Sequence, residues 1–566
     1  MNYLDWIVLF GTLISIVAYG VWKTTGSTNI EGYLKGDQNL KWWTIGLSVM
    51  ATQASAITFL SVPGQAYESD MGFVQLYFGL PIAMVILSVT FIPIYFKLKV
   101  YTAYEYLESR FDLKTRTLTA FIFLIQRGLA AGITIYAPAI ILSKILSWPL
   151  GATILIIGVL VIIYTVSGGT KAVSVTQKQQ MAVMMGGMVV AFIIVIQLLP
   201  EEITFSNALH VAGKMEKLET VDFSFDINDR YNVWSGVIGG LFLALSYFGT
   251  DQSQVSRYLG GKSISQIRTG LLFNGIFKVP MQFFILLVGI MVFVFYQFYM
   301  PPLFFNQAAE QKVRDSEYAE AYADLEAEHQ TIFNSKKENI SKMVRQMEGN
   351  DPGMSLTQQE ILSLDQQNDD LRIRAGELIK AADNDAEVKD TDYVFITFVI
   401  NHLPHGVIGL LLAVIFSGAM SSTASELNAL ASTTTVDIFK RSLVKIGSER
   451  YFLNASKLFT LLWGIIAIVF AMFASLAENL IEFVNMLGSI FYGTVLGVFL
   501  CAFYVKYVQA NAVFIAAILT EAVIIYLYFG TEISYLLYNA IGCILVIIIA
   551  LILQFTIFNQ RKSKSV

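Results

Sequence analysis

The sequence has 566 residues, of which 55% are hydrophobic and only 14% are charged, and its formal net charge is −5. Soluble domains carry about 25% charged residues, so this composition excludes an ordinary soluble protein and indicates a membrane protein. The acidic balance does not suggest nucleic acid binding. The two cysteines lie in apolar stretches and the four histidines are scattered, which argues against a disulfide framework or a catalytic metal centre.

Thirteen apolar runs follow one another along the chain, and a helical run of about 20 residues is long enough to cross ~30 Å of hydrocarbon. The sequence therefore predicts an all-α membrane protein with about thirteen transmembrane helices in contact with the lipid bilayer. The runs are Leu4–Trp22, Thr44–Pro63, Gly72–Phe96, Leu118–Leu146, Gly151–Val166, Val175–Leu199, Trp234–Thr250, Gly270–Met300, Gly406–Val436, Phe452–Leu476, Leu480–Tyr504, Ala512–Phe529 and Tyr535–Phe558.

Lysine and arginine are unevenly distributed among the loops. With the N-terminus outside, the inner loops and the C-terminal tail hold 22 of these residues, whereas the short outer loops hold three. Basic loops stay on the cytoplasmic side of a membrane. We therefore expect a multi-pass protein of the inner or plasma membrane, with its N-terminus outside and its basic tail at 559–566 in the cytoplasm.

Small and polar residues interrupt the second run at Met50–Thr58, and Ser246–Gln252 closes the seventh run in a similar way. In transporters built from inverted repeats, two such interruptions mark helices that unwind near the midplane and expose carbonyl oxygens to ions and substrate. Each interruption here opens a block of five helices, 44–199 and 234–504. Close packing of unbroken helices through small residues is the alternative interpretation.

Two basic residues lie inside predicted spans, Arg127 in the fourth and Lys278 in the eighth. A charge within the membrane is costly unless it is paired or functional. Two interpretations of Arg127 stay open: a structural ion pair with Glu426 or Glu521, and a site that attracts an anionic substrate.

Residues 301–392 differ from the rest of the chain. They contain 20 Asp and Glu against 10 Lys and Arg, and a break at Gly349–Gly353 divides two stretches of helix-forming composition. This pattern predicts an extramembrane helical hairpin on the outer side. The hairpin is either a solvated insertion, replaceable by a short Gly/Ser linker, or a surface for a protein partner or for self-association.

Neighbouring hydroxyl groups occur at Gly418–Ser425, inside a span that should be wholly apolar. Sodium, a hard cation, prefers oxygen ligands, and hydroxyls together with unwound carbonyls supply them without burying a net charge. Hydrogen bonding of Ser and Thr to their own helix is the alternative.

With these residues the chain resembles the sodium/solute symporter family over nearly all of its length except 301–392. The matching stretches are ATQASAITFLSVPGQAY at 51–67, YTAYEYLESRF at 101–111, SGGTKAV at 167–173, DQSQVSRYL at 251–259 and MSSTASELNALASTTTVDIF at 420–439. The resemblance implies the LeuT-type fold of five plus five inverted helices. The implied organisation is a first helix and inner loop at 1–43, repeats at 44–199 and 234–504 around an outer loop at 200–233, the insertion at 301–392, and two final helices with the tail at 505–566.

The resemblance also implies a sodium site, with Na⁺ as the coupling ion. Carried over residue by residue, its ligands are the carbonyl oxygens of Ala51, Ala54 and Gly418 and the hydroxyls of Ser421 and Ser422. Ala51 and Ala54 lie one helical turn apart across the interruption. These implied ligands therefore agree with the interpretation of Met50–Thr58 as a stretch that exposes carbonyl oxygens.

A second sodium, bound in some members by an Asp and two further serines, is not expected here. Gln177 stands at the position of the Asp and Ala424 at one of the serines, so only Ser425 is kept. We therefore predict one sodium per substrate. The carboxylate of Glu426 could replace the missing Asp, and a solvated or salt-bridged Glu426 is the alternative.

The substrate is a small-molecule solute whose identity the sequence leaves open. The sugar-binding residues of the sodium/galactose members correspond to Gln53, Thr58, Asp251 and Lys278, whereas their Glu falls near Gly79. Gln252 follows Asp251 in a stretch that is closer to the branch carrying monocarboxylates, iodide and vitamins. With Arg127 and Lys278 in the bundle, a small organic anion is our first expectation and a sugar the alternative.

An enzyme and a membrane sensor are the two alternatives to a transporter. No paired carboxylates, His/Cys cluster or nucleophile with a nearby base indicates an enzyme. Some family members instead feed a cytoplasmic kinase module, and no such module follows the last span in this sequence. A sensor would therefore have to act through a separate partner.

Overall fold

The computed structural model describes residues 1–24, 40–98, 100–146, 148–349, 353–384, 386, 388–444, 446–473 and 480–558. Within these residues the chain is helical, and the one β contact described is an isolated bridge between Leu40 and Gly261. The first half contains α1 (Tyr3–Thr24), α2 (Trp42–Gln53), α3 (Ala56–Glu68), α4 (Leu80–Val89), α5 (Phe91–Leu98), α6 (Glu105–Arg110), α7 (Leu113–Leu146), α8 (Leu150–Gln197) and α9 (Phe205–Lys214).

The second half begins with α10 (Gly240–Thr250), α11 (Gln252–Leu259), α12 (Ile264–Phe298) and α13 (Gln307–Arg314). It continues with α14 (Ala319–Gly349), α15 (Met354–Ala382), α16 (Thr391–His402), α17 (Val407–Thr433), α18 (Glu449–Ala471), α19 (Leu480–Tyr504), α20 (Ala510–Gly530) and α21 (Leu537–Thr556). Gly72–Tyr77 forms a 3₁₀ helix, and Ser235–Gly239 and Thr434–Leu443 form π-helical turns.

The predicted membrane spans are present as helices. Among the described residues, nine helices are long and apolar enough to cross a membrane, and α2 with α3 forms a tenth span that is bent by 61° at its break. Three shorter apolar segments, Tyr3–Ile16, Leu150–Ile163 and Ser235–Thr250, account for the remaining predicted runs. The prediction of an all-α membrane fold is therefore confirmed.

One detail differs from the predicted spans. The fifth and sixth runs, which the sequence separates at 167–174, belong to the single helix α8. The basic tail at 559–566 and most of the loop at 23–43, which contributed to the predicted orientation, lie outside the described residues.

Helix α3 packs tightly against α16. A Cβ added to Gly64 would lie 2.1 Å from the carbonyl oxygen of Thr391, so only glycine permits this approach of the two backbones. The second half of the broken span is thereby held against α16, which begins at the end of the acidic insertion.

The insertion forms a helical hairpin of α14 and α15. Leu325, Ile332, Leu371 and Ile379 lie in an apolar cluster of its own. An ion pair of 2.7 Å between Lys336 and Asp365 links the two helices. Only part of the turn predicted at 349–353 lies within the described residues.

The base of the insertion connects the helical hairpin to the membrane core. Asp390 accepts a 2.5 Å hydrogen bond from the backbone N–H of Phe305 and pairs with Arg372 at 2.7 Å. Phe305 is fully buried, and Thr391 donates a hydrogen bond to the carboxylate of Glu68 at the end of α3.

Because Phe305 and Asp390 are packed at the base of the insertion, the segment that can be removed without loss of folding is shorter than 301–392. Replacing residues 307–386 with a Gly/Ser linker in an Asp390→Asn background is expected to preserve sodium-driven uptake. The asparagine keeps an acceptor for the N–H of Phe305 and avoids a buried charge that would lose its partner Arg372. Polar extramembrane segments tolerate such changes when the backbone around them stays packed. Replacing all of 301–392 should instead reduce the yield of folded protein, since it removes Phe305 and Asp390. Uptake in proteoliposomes and monodispersity in detergent check both results. A monodisperse 307–386 replacement without uptake would contradict the first.

Candidate functional site

The site is organised around the break between α2 and α3. Ala54 leaves the helical conformation with φ −82° and ψ 80°, and Ser55 is extended with φ −83° and ψ 176°. An unwound stretch cannot complete the helical hydrogen-bond pattern, so carbonyl oxygens near the break are available to other partners.

Helix α17 lies directly against this break. A Cβ on Gly418 would be 2.9 Å from the backbone nitrogen of Ala56, so the absence of a side chain allows the contact. Ser421 Oγ donates to the carbonyl of Ala51 at 3.4 Å, and Ser422 Oγ donates to the carbonyl of Thr52 at 3.1 Å.

The structure thus brings the predicted sodium ligands of the two spans together. Ala51, Ala54, Ser421 and Ser422 are each no more than 1% exposed. The two hydroxyls and the neighbouring carbonyls form a buried set of oxygen atoms, which is the donor set that hard cations prefer.

Gln177 on α8 lies beside this set with its amide fully hydrogen-bonded. Its Oε1 accepts from the hydroxyl of Ser48. Its Nε2 donates to Thr52 Oγ1 at 3.0 Å and to Ser425 Oγ at 3.1 Å. The two N–H groups of this amide are therefore hydrogen-bonded to the hydroxyl oxygens that a cation in this region would need as ligands.

A second break separates α10 from α11 at Asp251, as the small-residue pattern predicted for the seventh span. One carboxylate oxygen of Asp251 caps α11 by accepting from the N–H of Ser253 at 2.8 Å. The other accepts from Tyr492 Oη at 2.8 Å and from Arg127.

Arg127 pairs with two carboxylates deep in the membrane. It forms a salt bridge with Asp251, and a second one with Glu426 at 3.0 Å. It also donates to Tyr492 Oη and lies 5.3 Å from the ring centroid of Tyr247. Of the two partners considered from the sequence, Glu426 is the one found, and no ion pair joins Arg127 to Glu521.

A cavity of about 90 Å³ lies between the break, α10 and α19. We call it the transport cavity. Its polar wall consists of Thr52, Gln53, Ser55, Arg127, Thr134, Ser422, Glu426 and Asn485, with the tyrosines at 77, 247 and 492. Four polar atoms of this wall have no hydrogen-bond partner among the described residues: Gln53 Oε1, Arg127 Nε, Glu426 Oε2 and Asn485 Nδ2.

The predicted substrate residues occupy different positions relative to this cavity. Gln53 and Arg127 form part of its wall, and Asp251 stands behind Arg127 and Tyr492. Thr58, Gln252 and Lys278 are not among the wall residues.

All three have other contacts. The hydroxyl of Thr58 donates to the carbonyl of Gln53 at 3.5 Å, across the break between α2 and α3. The amide of Gln252 holds the loop before α6, accepting from the N–H of Ala103 at 3.1 Å and donating to the carbonyl of Tyr101 at 2.9 Å. Lys278 is fully buried on α12 with its ammonium 5.5 Å from the ring centroid of Tyr77.

Sequence reasoning missed Tyr77, Tyr247, Asn485 and Tyr492. Tyr77, Asn485 and Tyr492 are single aromatic or amide side chains in largely apolar runs, and such residues also occur at helix contacts without function. Tyr247 lies within the interruption at Ser246–Gln252, but that pattern does not single it out from its neighbours. The Arg127 charge was the available signal, because a buried guanidinium requires hydrogen-bond acceptors around it.

Two broken helices, a buried oxygen set and an enclosed cavity beside it define a cation-coupled secondary carrier. The family model described as the sodium:solute symporter family matches residues 33–325 and 379–520. The chain therefore belongs to the sodium:solute symporter family and is a sodium-coupled symporter of a small-molecule solute in the membrane. The match omits 326–378, which is most of the helical hairpin.

Similar proteins agree with this family. The chain is 25% identical over 553 residues to the sodium/sialic acid symporter SiaT of Proteus mirabilis (strain HI4320), covering 97% of this chain and 94% of that protein. It is 31% identical over 291 residues to the human sodium/iodide cotransporter, covering 50% of this chain and 44% of that protein. It is also 31% identical over 273 residues to the human sodium-coupled monocarboxylate transporter 1, covering 48% and 44% of the two chains.

A solved structure shares the fold. It is the substrate-bound outward-open state of a Na⁺-coupled sialic acid symporter, with a TM-score of 0.75 and 24% sequence identity over 98% of both chains. The LeuT-type arrangement expected from the sequence is thereby confirmed.

Proposed function

We propose that this symporter imports a small hydroxylated organic acid together with sodium. The observation that carries the proposal is Arg127, a buried guanidinium in the wall of the transport cavity whose Nε has no hydrogen-bond partner in the part of the chain that the structure describes. Guanidinium groups bind carboxylates through directed hydrogen bonds. Relatives named for sialic acid, iodide and monocarboxylates support an anionic solute.

The other free polar atoms in the wall support hydroxyl groups on the solute. Arg127 Nε and Asn485 Nδ2 are donors, whereas Gln53 Oε1 and Glu426 Oε2 are acceptors. A carboxylate or hydroxyl oxygen can accept from the two donors, and hydroxyl groups can donate to Gln53 and Glu426. A buried polar group left unpaired costs about 1–3 kcal/mol, so a solute that pairs all four is selected over a purely apolar acid.

The charge balance supports a second candidate, a neutral sugar. Arg127 is matched by the two carboxylates of Asp251 and Glu426, so this group carries a formal charge of −1. One sodium ion nearby brings the sum to zero. A neutral sugar leaves that balance unchanged, whereas an acid adds one negative charge.

The sodium ligands we propose are the carbonyls of Ala51, Ala54 and Gly418 with the hydroxyls of Ser421 and Ser422. Because Ser422 also lies in the wall of the transport cavity, an ion held there and a bound solute share one lining residue. In this proposal, sodium binding favours the outward-open state. We also propose that the N-terminus lies on the outer side of the membrane.

Ser421→Ala and Ser422→Ala are each expected to lower the apparent sodium affinity roughly tenfold, equivalent to about 1.4 kcal/mol, because each removes one oxygen ligand. The half-saturating sodium concentration of uptake in proteoliposomes measures this. Ser432→Ala is the matched control, since this buried serine of α17 bonds to the carbonyl of Ala429. A double Ser421/Ser422 variant with the parental sodium dependence would remove the site from consideration.

Counterflow of labelled solute in proteoliposomes tests the substrate class. Preloaded hexuronic acids and hydroxy monocarboxylates are compared with the neutral hexoses of the same stereochemistry. Sodium-dependent exchange of the acids is expected. Exchange of hexoses alone would support the sugar alternative, and saturable binding without exchange would indicate a sensor that acts through a partner.

A further inference from the structure

A second cavity lies outside the transport path, where the helical hairpin meets the ends of α3 and α12. It measures about 60 Å³, against about 90 Å³ for the transport cavity. Its floor includes Glu68 and Gln297, and its roof includes Lys336 and Asp369 from α14 and α15. We call it the junction cavity. Its size, two thirds of that of the transport cavity, suits a solute of only a few heavy atoms.

Two buried polar groups on its floor have no hydrogen-bond partner among the described residues. They are the hydroxyl of Tyr296 and Oε1 of Gln297, on residues that are 1% and 2% exposed. The amide nitrogen of Gln297 is already used, because it donates to the carbonyl of Phe293 at 2.9 Å. Gln297 therefore presents an acceptor oxygen that a ligand with a donor group can satisfy.

One ammonium group at this cavity, that of Lys217, forms no salt bridge to the described residues, although the carboxylates of Asp365, Asp369, Asp70 and Glu68 act on its charge. Lys217 Nζ donates to the carbonyl oxygen of Glu68 at 2.6 Å and lies 4.9 Å from the ring centroid of Phe293. Partial burial lowers the pKa of Lys217. An ammonium has three donors, so this group can also bind an anionic oxygen.

The remaining basic residues of the roof already have carboxylate partners. Lys336 pairs with Asp365 at 2.7 Å, and Arg372 pairs with Asp390 at 2.7 Å. Asp369 lies at the exposed rim and forms no salt bridge to the described residues. The cavity therefore offers the Lys217 ammonium together with acceptor oxygens at Gln297 and at Asp369, whose carboxylate is close enough to act on the charge of Lys217.

We propose that the junction cavity binds a small zwitterion of the α-amino-acid class, separately from the transported solute. The carboxylate of the zwitterion contacts Lys217, and its ammonium group contacts Gln297 Oε1 and the Asp369 carboxylate. A solute with a single charge leaves either the lysine or the acceptor oxygens without a partner, and buried polar groups without partners are costly.

Calorimetric titration of the purified full-length protein in nanodiscs tests this proposal. The probes are glycine, L-alanine and L-serine, compared with acetate and methylammonium, which carry one charge each. At least one amino acid is expected to bind at least tenfold more tightly than both single-charge probes. If no amino acid binds, or if acetate or methylammonium binds equally well, the proposal is overturned.

Variants locate the binding. Gln297→Leu and Lys217→Met are each expected to weaken amino-acid binding at least tenfold, whereas Lys337→Met, which changes the exposed neighbour of Lys336, leaves it unchanged. The protein with residues 307–386 replaced by a linker in the Asp390→Asn background should lose the binding and keep sodium-driven uptake. Arg127→Gln should keep the binding. Amino-acid binding that is lost in Arg127→Gln and retained in Gln297→Leu would place the ligand in the transport cavity and refute the proposal.

Discussion

Arg127→Gln is expected to abolish sodium-driven uptake and to lower the stability of the folded protein. The substitution removes the positive charge between Asp251 and Glu426 and leaves both carboxylates without their ion-pair partner. Removing one partner of a buried ion pair costs about 3–5 kcal/mol, because the remaining charge stays desolvated. It also removes the donor that we assign to the solute carboxylate. Initial uptake rates and thermal unfolding of the purified protein measure the two effects.

Arg116→Gln provides a matched control. Arg116 also bridges two carboxylates, Glu108 at 2.8 Å and Asp437 at 2.6 Å, and it is not among the residues of the transport cavity. Its loss should lower stability while the folded fraction keeps its substrate affinity. The double variant Arg127→Gln/Glu426→Gln should regain part of the stability without regaining uptake. Uptake by Arg127→Gln with an unchanged half-saturating solute concentration would refute a substrate role for this residue.

The double variant Gln177→Asp/Ala424→Ser is expected to raise the number of sodium ions per transport cycle from one to two. In the parent, the amide of Gln177 donates to Thr52 and Ser425, so its N–H groups take the place that a cation would need. An aspartate lacks these donors and adds a negative charge, and the serine adds an oxygen ligand. Reversal potentials of uptake at several sodium gradients should follow a one-sodium slope in the parent and a two-sodium slope in the variant.

Glu426→Gln separates this prediction from its alternative. Glu426 is paired with Arg127 at 3.0 Å, so we expect it not to act as a ligand of a second sodium. The one-sodium slope should therefore be unchanged in Glu426→Gln. A parent protein with a two-sodium slope that falls to one in Glu426→Gln would make Glu426 the missing ligand and overturn the single-site prediction.

The break in the second span is the part of the site that the sequence predicted well. Met50–Thr58 contains the residues that unwind, and the structure breaks the helix at Ala54 and Ser55. Both the interruption and the hydroxyl cluster at Gly418–Ser425 are local signals, since polar residues in an apolar run stand out against their neighbours. The family resemblance then indicated that the two segments meet.

The contacts of Gln252 and Lys278 were not predictable in the same way. Residue type and spacing suggested substrate binding for both, yet Gln252 holds the backbone of Tyr101 and Ala103. Lys278 lies buried beside Tyr77 and outside the cavity wall. Which side of a buried helix faces a cavity depends on its neighbours. Helix α12 is largely apolar and carries no amphipathic pattern to indicate that side. Helix α11 is polar and almost entirely buried, so its sequence does not distinguish a substrate contact from a contact with a loop.

The sequence by itself determined the number of apolar runs, the positions of the two breaks and the acidic insertion. Each of these depends on composition within a short window, because hydrocarbon thickness and helix geometry act on consecutive residues. The tertiary structure alone decided the partners of Arg127, which are 124 and 299 residues away in the chain. It also decided which groups form hydrogen bonds with the amide of Gln177, and where the helical hairpin contacts the end of α3. These contacts follow from how distant helices pack, and no local pattern of residues encodes them.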